Sequence, residues 1–176
     1  TNKRVVIAHS LGSHLLSREV VSKSSHFVFL ASFTSFVPKA GDNRLLTKAL
    51  EQMPSYIGTD KEMTMLKEFL VKACHPSSIA DLPHGIIQTE LTNQGRQRLK
   101  EDLHFLQKNQ DLPSGISKNT KVLVVEAEKD SIVVPNAKKE LIEELSNHLT
   151  QQPSYWILPN TGHALINDGI IERVQH

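Results

Sequence analysis

Four short runs of apolar, mostly β-branched or aromatic residues predict the strands of one sheet. These runs are Arg4–Ala8, Phe27–Ala31, Val122–Glu126 and Tyr155–Leu158. Apolar residues are nearly continuous within each run instead of alternating, which is typical of parallel strands covered on both faces. We therefore expect an α/β fold, in which a parallel sheet carries helices on both faces.

Helical spacing of apolar residues separates these runs. It predicts one helix over Leu11–Ser22, a second over Asn136–Leu149 and a last one from Ala164 onward. Strand, helix and strand within the first 31 residues form a βαβ unit. A βαβ unit joins two parallel strands, and its crossover is right-handed in nearly all proteins.

The stretch between the second and third predicted strands is too long for an ordinary crossover. About 80 residues lie there, whereas helical crossovers in α/β units are far shorter. The stretch contains no convincing strand but four candidate helices, Arg44–Met53, Asp60–Ala73, Ser78–Asp81 and Thr92–Gln107. We interpret residues 36–115 as an inserted helical cap, with residues 1–35 and 116–176 forming the core.

Composition narrows the functional classes without naming one. Lys plus Arg is 20 and Asp plus Glu is 19, so the net charge of +1 gives no reason to expect nucleic acid or an anionic membrane as a partner. The single cysteine, Cys74, excludes an internal disulfide and favours a cytoplasmic protein. No apolar run approaches the roughly 20 residues that a membrane span needs.

The strongest candidate for chemistry is the serine between the first strand and the first helix. The sequence Ala8-His9-Ser10-Leu11-Gly12 matches the G-x-S-x-G pattern except that alanine replaces the first glycine. A sharp turn there exposes the hydroxyl to substrate, and small residues two positions away relieve crowding. The turn also aims the backbone N–H of Leu11 at a substrate carbonyl, so we expect Leu11 to supply one oxyanion donor. The alternative is a serine that only caps a helix.

Asp130 follows the third strand and His163 follows the fourth. A loop carboxylate at Asp130 could orient an imidazole and stabilise its charged form, although Glu126 and Glu128 are rivals for that role. A histidine at position 163 can reach over the carboxyl edge of the sheet to Ser10.

The other histidines are given no role in this chemistry. We expect His9 to point away from the site, and we expect His75, His84, His104 and His148 to lie in solvent.

The order of these three residues is more specific than any one of them. Serine, aspartate and histidine, each directly after a buried strand, is the arrangement of the α/β-hydrolases, which place such groups at the carboxyl ends of parallel strands. We expect a serine hydrolase that works through an acyl-enzyme and uses no metal and no cofactor. The second oxyanion donor normally follows an earlier strand. We therefore expect that N-terminal strands are missing from this sequence, and that residues upstream of Thr1 would raise the activity.

Several segments outside the three motifs share features with one family. They are the strand Phe27–Ser32 running on into Phe33–Pro38, the helix Arg98–Leu106 leading to Leu112-Pro113, the loop Asp130–Pro135 and the tripeptide Gly162-His163-Ala164. Together with the serine turn and the cap, they resemble the pimeloyl-acyl-carrier-protein methyl ester esterases of biotin synthesis. The resemblance covers nearly the whole chain, but the histidine-glycine-aromatic oxyanion motif of that family is absent from it.

This resemblance implies Ser10, Asp130 and His163 as the catalytic triad and a cap that engages an acidic carrier protein. Phe36 is a candidate for contact with the acyl chain, and Arg96 and Arg98 are candidates for contact with the carrier. A thioesterase or a lipase-like esterase acting on free acyl chains is the alternative within enzymes. A non-catalytic receptor that has kept the hydrolase fold is the alternative outside them.

Overall fold

The apolar runs pair side by side as parallel strands in a computed structural model, which describes residues 3–82 and 90–166. The elements of these residues, in chain order, are β1 (Val5–His9), α1 (Gly12–Leu15), α2 (Arg18–Ser22), β2 (His26–Leu30), α3 (Arg44–Tyr56), α4 (Glu62–Cys74), a short 3₁₀ turn (Ile79–Asp81), α5 (Asn93–Lys108), β3 (Lys121–Ala127), α6 (Pro135–His148) and β4 (Ser154–Leu158). Within the described ranges no helix is both long and apolar enough to cross a membrane.

The four strands form one sheet in the order β1-β2-β3-β4, and every neighbouring pair is parallel. The prediction of a parallel α/β sheet is therefore confirmed. The expectation that all four strands are covered on both faces is wrong, because β1 and β4 are the outer strands of the described sheet and expose Val5, Ile7, Tyr155 and Ile157. The register aligns Ala8 of β1 with Phe29 of β2, Val124 of β3 and Tyr155 of β4. All four carboxyl ends consequently lie along one edge, where the predicted chemistry requires them.

The single helix predicted over Leu11–Ser22 is wrong, because the chain breaks there into α1 and α2. Leu16 is extended, with ψ at 141°, and Ser17 begins a new helix by accepting a hydrogen bond from the backbone N–H of Val20 through its side chain. A serine hydroxyl competes for backbone donors and so favours a helix start over a helix interior. The break lets Leu16 pack against the cluster of apolar residues beside the sheet.

The remaining helices follow the predictions with shifted ends. The helix predicted over Ser78–Asp81 is one 3₁₀ turn capped by the Ser78 side chain. Residues 164–166 are not helical, and residues 167–176, where the rest of the last predicted helix falls, lie outside the described residues. The boundaries proposed for the cap, 36 and 115, stay predictions.

The described residues form three clusters of buried apolar side chains, the smallest of which contains Val28, Val125 and Leu158. One fills the space between the sheet and α6 and includes Phe27, Phe29, Val124, Leu141 and Leu145. Burying a side chain of this size contributes roughly 1.5–3 kcal/mol to folding.

The second cluster joins α3, α4 and α5 to the segments that follow β2 and β3. Its buried members include Phe33, Phe36, Leu50, Leu103 and Val133. We call it the cap-core cluster, because it contacts both predicted parts of the chain.

Leu141→Ala tests the packing of α6 on the sheet. Leu141 is fully buried, so the substitution should lower the free energy of unfolding by about 2–5 kcal/mol. The matched control is Leu45→Ala on α3, where the side chain is 85% exposed and the change should stay within about 0.5 kcal/mol. Urea unfolding followed by circular dichroism measures both, and equal losses would contradict the described packing.

Candidate active site

Ser10 lies on the sharp turn between β1 and α1, in a backbone conformation that non-glycine residues avoid. Its φ is +51°, in the left-handed region. Ala8 is buried two residues before it, which agrees with the need for a small side chain there. Crowding at Gly12 is not observed, because a Cβ added there would meet no atom of the described structure within 4 Å.

Buried hydroxyl groups hold this unfavourable turn in place. The backbone N–H of Ser10 donates to the carbonyl of Leu30 at 2.9 Å. The carbonyl of Ser10 accepts from the hydroxyls of Ser13 and Ser32 at 3.1 and 3.0 Å, and those two hydroxyls are 2.9 Å apart. Both serines are buried. They were missed in the sequence, where serines three and 22 positions away from Ser10 carry no distinguishing signal.

His163 brings its imidazole to the serine hydroxyl. It lies on the loop after β4, is buried, and places Nε2 at 3.0 Å from Oγ of Ser10, a residue 153 positions earlier in the chain. The other ring nitrogen, Nδ1, lies 2.9 Å from Oδ2 of Asp130. The structure therefore brings the three sequence-predicted side chains into one continuous hydrogen-bonded series.

Hydrogen bonds from its own loop stabilise Asp130 as an ionised carboxylate. Its Oδ1 accepts from the backbone N–H groups of Ile132 and Val133 at 2.8 and 3.0 Å. Burial opposes ionisation, but the hydrogen bond and charge of His163, together with these two N–H groups, hold the pKa of Asp130 below its ordinary value.

The ionisation of Asp130 fixes the protonation of the imidazole. Since an ionised carboxylate has no proton to give, Nδ1 of a neutral His163 must carry the proton. Nε2 is then the nitrogen that accepts the hydroxyl proton of Ser10.

The rival carboxylates are engaged elsewhere. Glu126 accepts from the phenolic hydroxyl of Tyr155 at 2.7 Å, and Glu128 accepts from the backbone N–H of Asn160 at 2.8 Å. Each supports a strand or loop next to the site, and neither takes the position beside the imidazole that Asp130 occupies.

The expectation that His9 points away from the site is wrong. Its Nε2 donates to the backbone carbonyl of His163 at 2.8 Å, and the two rings are 5.0 Å apart between centroids. The side chain of His9 remains partly exposed, and its partial desolvation lowers its pKa despite the opposing effect of that hydrogen bond. His9 directly precedes Ser10, and the loop after β4 that brings His163 to Ser10 also brings the backbone of His163 against the His9 side chain.

Two further histidines make contacts that the sequence did not predict, and a third lies outside the described residues. His148, expected in solvent, is half-buried and donates from Nε2 to the carbonyl of Ile116 at 2.8 Å. His14 had no assigned role, but its Nε2 donates to the carbonyl of Phe33 at 2.9 Å, and burial lowers its pKa. His75 and His104 are exposed, as expected, and His84 lies outside the described residues.

The remaining candidates lie in three different settings. Leu11 directly follows Ser10, and its side chain packs against the cap-core cluster. Phe36 is buried in that cluster. Arg96 donates through two nitrogens to the carboxylate of Glu62, at 2.7 and 2.9 Å, so its guanidinium is engaged within the cap. Arg98 pairs with Asp102 on the exposed face of α5.

An apolar cavity of about 320 Å³ opens between α3, α4, α5 and the loop after β3. Its lining includes Phe36, Leu50, Met53, Leu103 and Ile132. A second cavity of about 280 Å³ shares Met53, Phe69, Leu103 and Leu106 with it. Apolar space thus continues from the loop that carries Asp130 into the predicted cap.

No protein-family model and no curated protein matches the chain, whereas solved structures do. An esterase from Exiguobacterium antarcticum is 14% identical over 97% of this chain and 62% of its own, with a TM-score of 0.63. The 2-hydroxy-6-oxo-6-phenylhexa-2,4-dienoate hydrolase of Rhodococcus sp. strain RHA1 is 15% identical over 98% and 62%, with a TM-score of 0.65. MGS-M2, an α/β hydrolase enzyme from a Medee basin deep-sea metagenome library, is 16% identical over 98% and 62%, with a TM-score of 0.54.

The chain thus spans about three fifths of the length of these structures. Identities this low establish a shared fold and leave the biotin-synthesis family a matter of sequence resemblance. With its parallel sheet and the strand-end positions of Ser10, Asp130 and His163, this chain has the α/β-hydrolase fold.

Proposed function

We propose that this chain carries the catalytic residues of a serine hydrolase that cleaves carboxylic esters through an acyl-enzyme. The observation that carries the proposal is the series from Ser10 Oγ to His163 Nε2 at 3.0 Å and from His163 Nδ1 to Asp130 Oδ2 at 2.9 Å. A serine hydroxyl is a poor nucleophile unless a base lies within hydrogen-bond reach, and this geometry supplies one.

The chemistry follows from the proton positions. Ser10 Oγ attacks the ester carbonyl carbon while its proton moves to His163 Nε2, and Asp130 stabilises the resulting imidazolium. The alcohol leaves with that proton as the tetrahedral intermediate collapses to the acyl-enzyme. Water then attacks the acyl carbon as His163 Nε2 takes its proton, and the second tetrahedral intermediate collapses to the acid while His163 returns the proton to Ser10 Oγ. The backbone N–H of Leu11 is one donor to the oxyanion in both steps.

The apolar cavities favour an ester whose acyl part is a hydrocarbon chain. The first is bounded by Ile132, two residues after Asp130, and Leu11 packs against the same cap-core cluster that lines it. An acyl chain placed there would be removed from water, which is favourable. A thioester or a free lipid ester could fill the same space, so the cavities do not separate these leaving groups.

The specific substrate that we propose is the methyl ester of a pimeloyl chain on its acyl-carrier protein. The support is the sequence resemblance in Phe27–Pro38 and Arg98–Pro113. Of the two arginines considered for the carrier, Arg98 remains the better candidate, because its side chain is 55% exposed and that of Arg96 is only 28% exposed. Arg96 is therefore better understood as a structural partner of the buried Glu62.

Ser10→Ala should lower ester hydrolysis by about 10³-fold or more and abolish covalent labelling by a fluorophosphonate, because the nucleophile is removed. Ser55→Ala is the matched control, since the Ser55 hydroxyl bonds only a helix carbonyl on α3 and both readouts should stay at wild-type level. Absence of labelling in the complete wild-type protein, with ligand binding retained in the Ser10 variant, would favour a non-catalytic receptor.

Asp130→Asn should lower kcat by about 10³–10⁴-fold, because the amide donates toward Nδ1 and favours the wrong imidazole tautomer. Glu128→Gln, a change at the rival carboxylate, should alter kcat by only a few fold. The lowered pKa of Asp130 also makes its carboxylate stabilise the folded state at neutral pH, a contribution lost as the pH falls through that pKa. The stability difference between wild type and D130N should therefore shrink in acid, and a constant difference would contradict this assignment.

Arg98→Glu should raise KM for the methyl ester of a carrier-bound dicarboxylate by several fold and leave p-nitrophenyl butyrate unchanged, because only the first substrate presents an acidic protein surface. Lys108→Glu reverses a charge at the other end of α5 and is the matched control, so it should leave KM for both substrates unchanged. Equal losses on both substrates, or a thioester preferred over the methyl ester, would remove the carrier-methyl-ester proposal while leaving the hydrolase intact.

A further inference from the structure

The last turn of α4 has all four of its terminal carbonyls hydrogen-bonded. The last four carbonyls of a helix have no partner among the helical residues themselves. Val71 accepts from the backbone N–H of the capping residue His75, with the i to i+4 spacing of the helix, and Cys74 accepts from that of Ser77 in the chain that follows.

The other two carbonyls are satisfied by the loops that carry Asp130 and His163. The carbonyl of Lys72 accepts from the hydroxyl of Ser131 at 3.1 Å. The carbonyl of Ala73 accepts from the backbone N–H of Ala164 at 2.8 Å. Ser131 directly follows Asp130 and Ala164 directly follows His163, so the end of one helix holds both neighbours.

Gly162 allows the histidine loop to approach this helix end closely. A Cβ at this position would lie 2.0 Å from the carbonyl oxygen of His75 and 3.0 Å from that of Ala73. Both are backbone atoms and cannot rotate aside as a side chain would. The requirement for glycine is thus one of close approach between two backbones, which only glycine permits.

We propose that the C-terminal turn of α4 positions Asp130 and His163 relative to each other, and that Ser131 and Gly162 are its positioning residues. The proposal rests on the hydrolase function proposed above. Neither residue touches the reacting atoms. Each acts through a neighbour, because a shift of Ser131 displaces the carboxylate and a shift of Gly162 displaces the imidazole.

Burial makes this arrangement stiff. Thr161 and Gly162 are buried with His163 in the histidine loop, and the carbonyl of His163 is also held by His9. With the loop fixed from two sides, a displacement at the helix end cannot be absorbed by free movement of the loop. It must move the ring that faces Ser10.

Gly162→Ala in the complete protein is the first test. It should lower kcat by about 10²-fold, as expected for a displacement of about 1 Å in the catalytic groups, with KM changed by less than about threefold. We expect the hydrogen bond to Asp130 to give the Nδ1 proton of His163 a strongly downfield resonance in the wild type, and this resonance should weaken or disappear in the variant. Gly95→Ala, on α5 and with no backbone atom in close contact, is the matched control and should change neither.

Ser131 provides a second test in case the glycine variant does not fold. Ser131→Ala should lower kcat by about tenfold, and Ser131→Thr should restore it to within about threefold because the hydroxyl returns. Ser55→Ala removes a hydroxyl that also bonds a helix carbonyl and should have no effect. Urea midpoints close to wild type show that a loss of kcat is not a loss of folded protein.

These results separate failure of the inference from failure of the proposed function. Wild-type kcat and an unchanged imidazole resonance in folded Gly162→Ala, or no difference between Ser131→Ala and Ser131→Thr, would overturn the positioning role. A wild-type protein without Ser10-dependent turnover would instead refute the hydrolase function. The imidazole resonance would still decide whether the end of α4 sets the contact between His163 and Asp130.

Discussion

The parallel alignment of the four strands is the constraint on which the site depends. Ser10, Asp130 and His163 are separated by up to 153 residues, yet each follows a strand whose carboxyl end lies at the same edge of the sheet. An antiparallel neighbour would send its loop to the opposite edge and remove one member from reach. The apolar contacts of Phe27 and Phe29 on β2 and of Val124 on β3 stabilise this arrangement of the strands, and so they determine where the three groups can meet.

Precise placement at that edge comes from polar contacts made by the backbone of Ser10 and by the residues that directly follow Asp130 and His163. Ser13 and Ser32 hold the carbonyl of Ser10 itself, Ser131 ties the aspartate loop to α4, and Ala164 ties the histidine loop to the same helix. The bonds that Ser13 and Ser32 make are stiff, because both side chains are buried and breaking either bond leaves a donor or acceptor without water to replace it. The bond from Ser131 is exposed to solvent and restrains its loop less strongly. The sheet brings the three groups to one edge, and these bonds set their separations.

Sequence patterns predicted the strands, because each strand is a short run of apolar residues. They also predicted the order serine, aspartate, histidine, because each of these is a single residue after such a run. They did not predict contacts that depend on distant segments meeting. Ser13, Ser32 and His9 look like ordinary polar residues until β2 and the histidine loop are placed beside them. The break between α1 and α2 at Leu16 was not predicted, because the spacing of apolar residues does not show that Ser17 caps a second helix. Arg96 looked like an exposed charge because the sequence does not show that Glu62 is buried opposite it.

The shared end of α4 has a consequence for how caps are exchanged between proteins of this fold. Here α4, the second helix of the segment between β2 and β3, also holds the loops that carry Asp130 and His163. A chimaera that kept the core strands but imported a foreign cap would lose the carbonyls of Lys72 and Ala73, so the transplant boundary has to leave this last turn with the recipient.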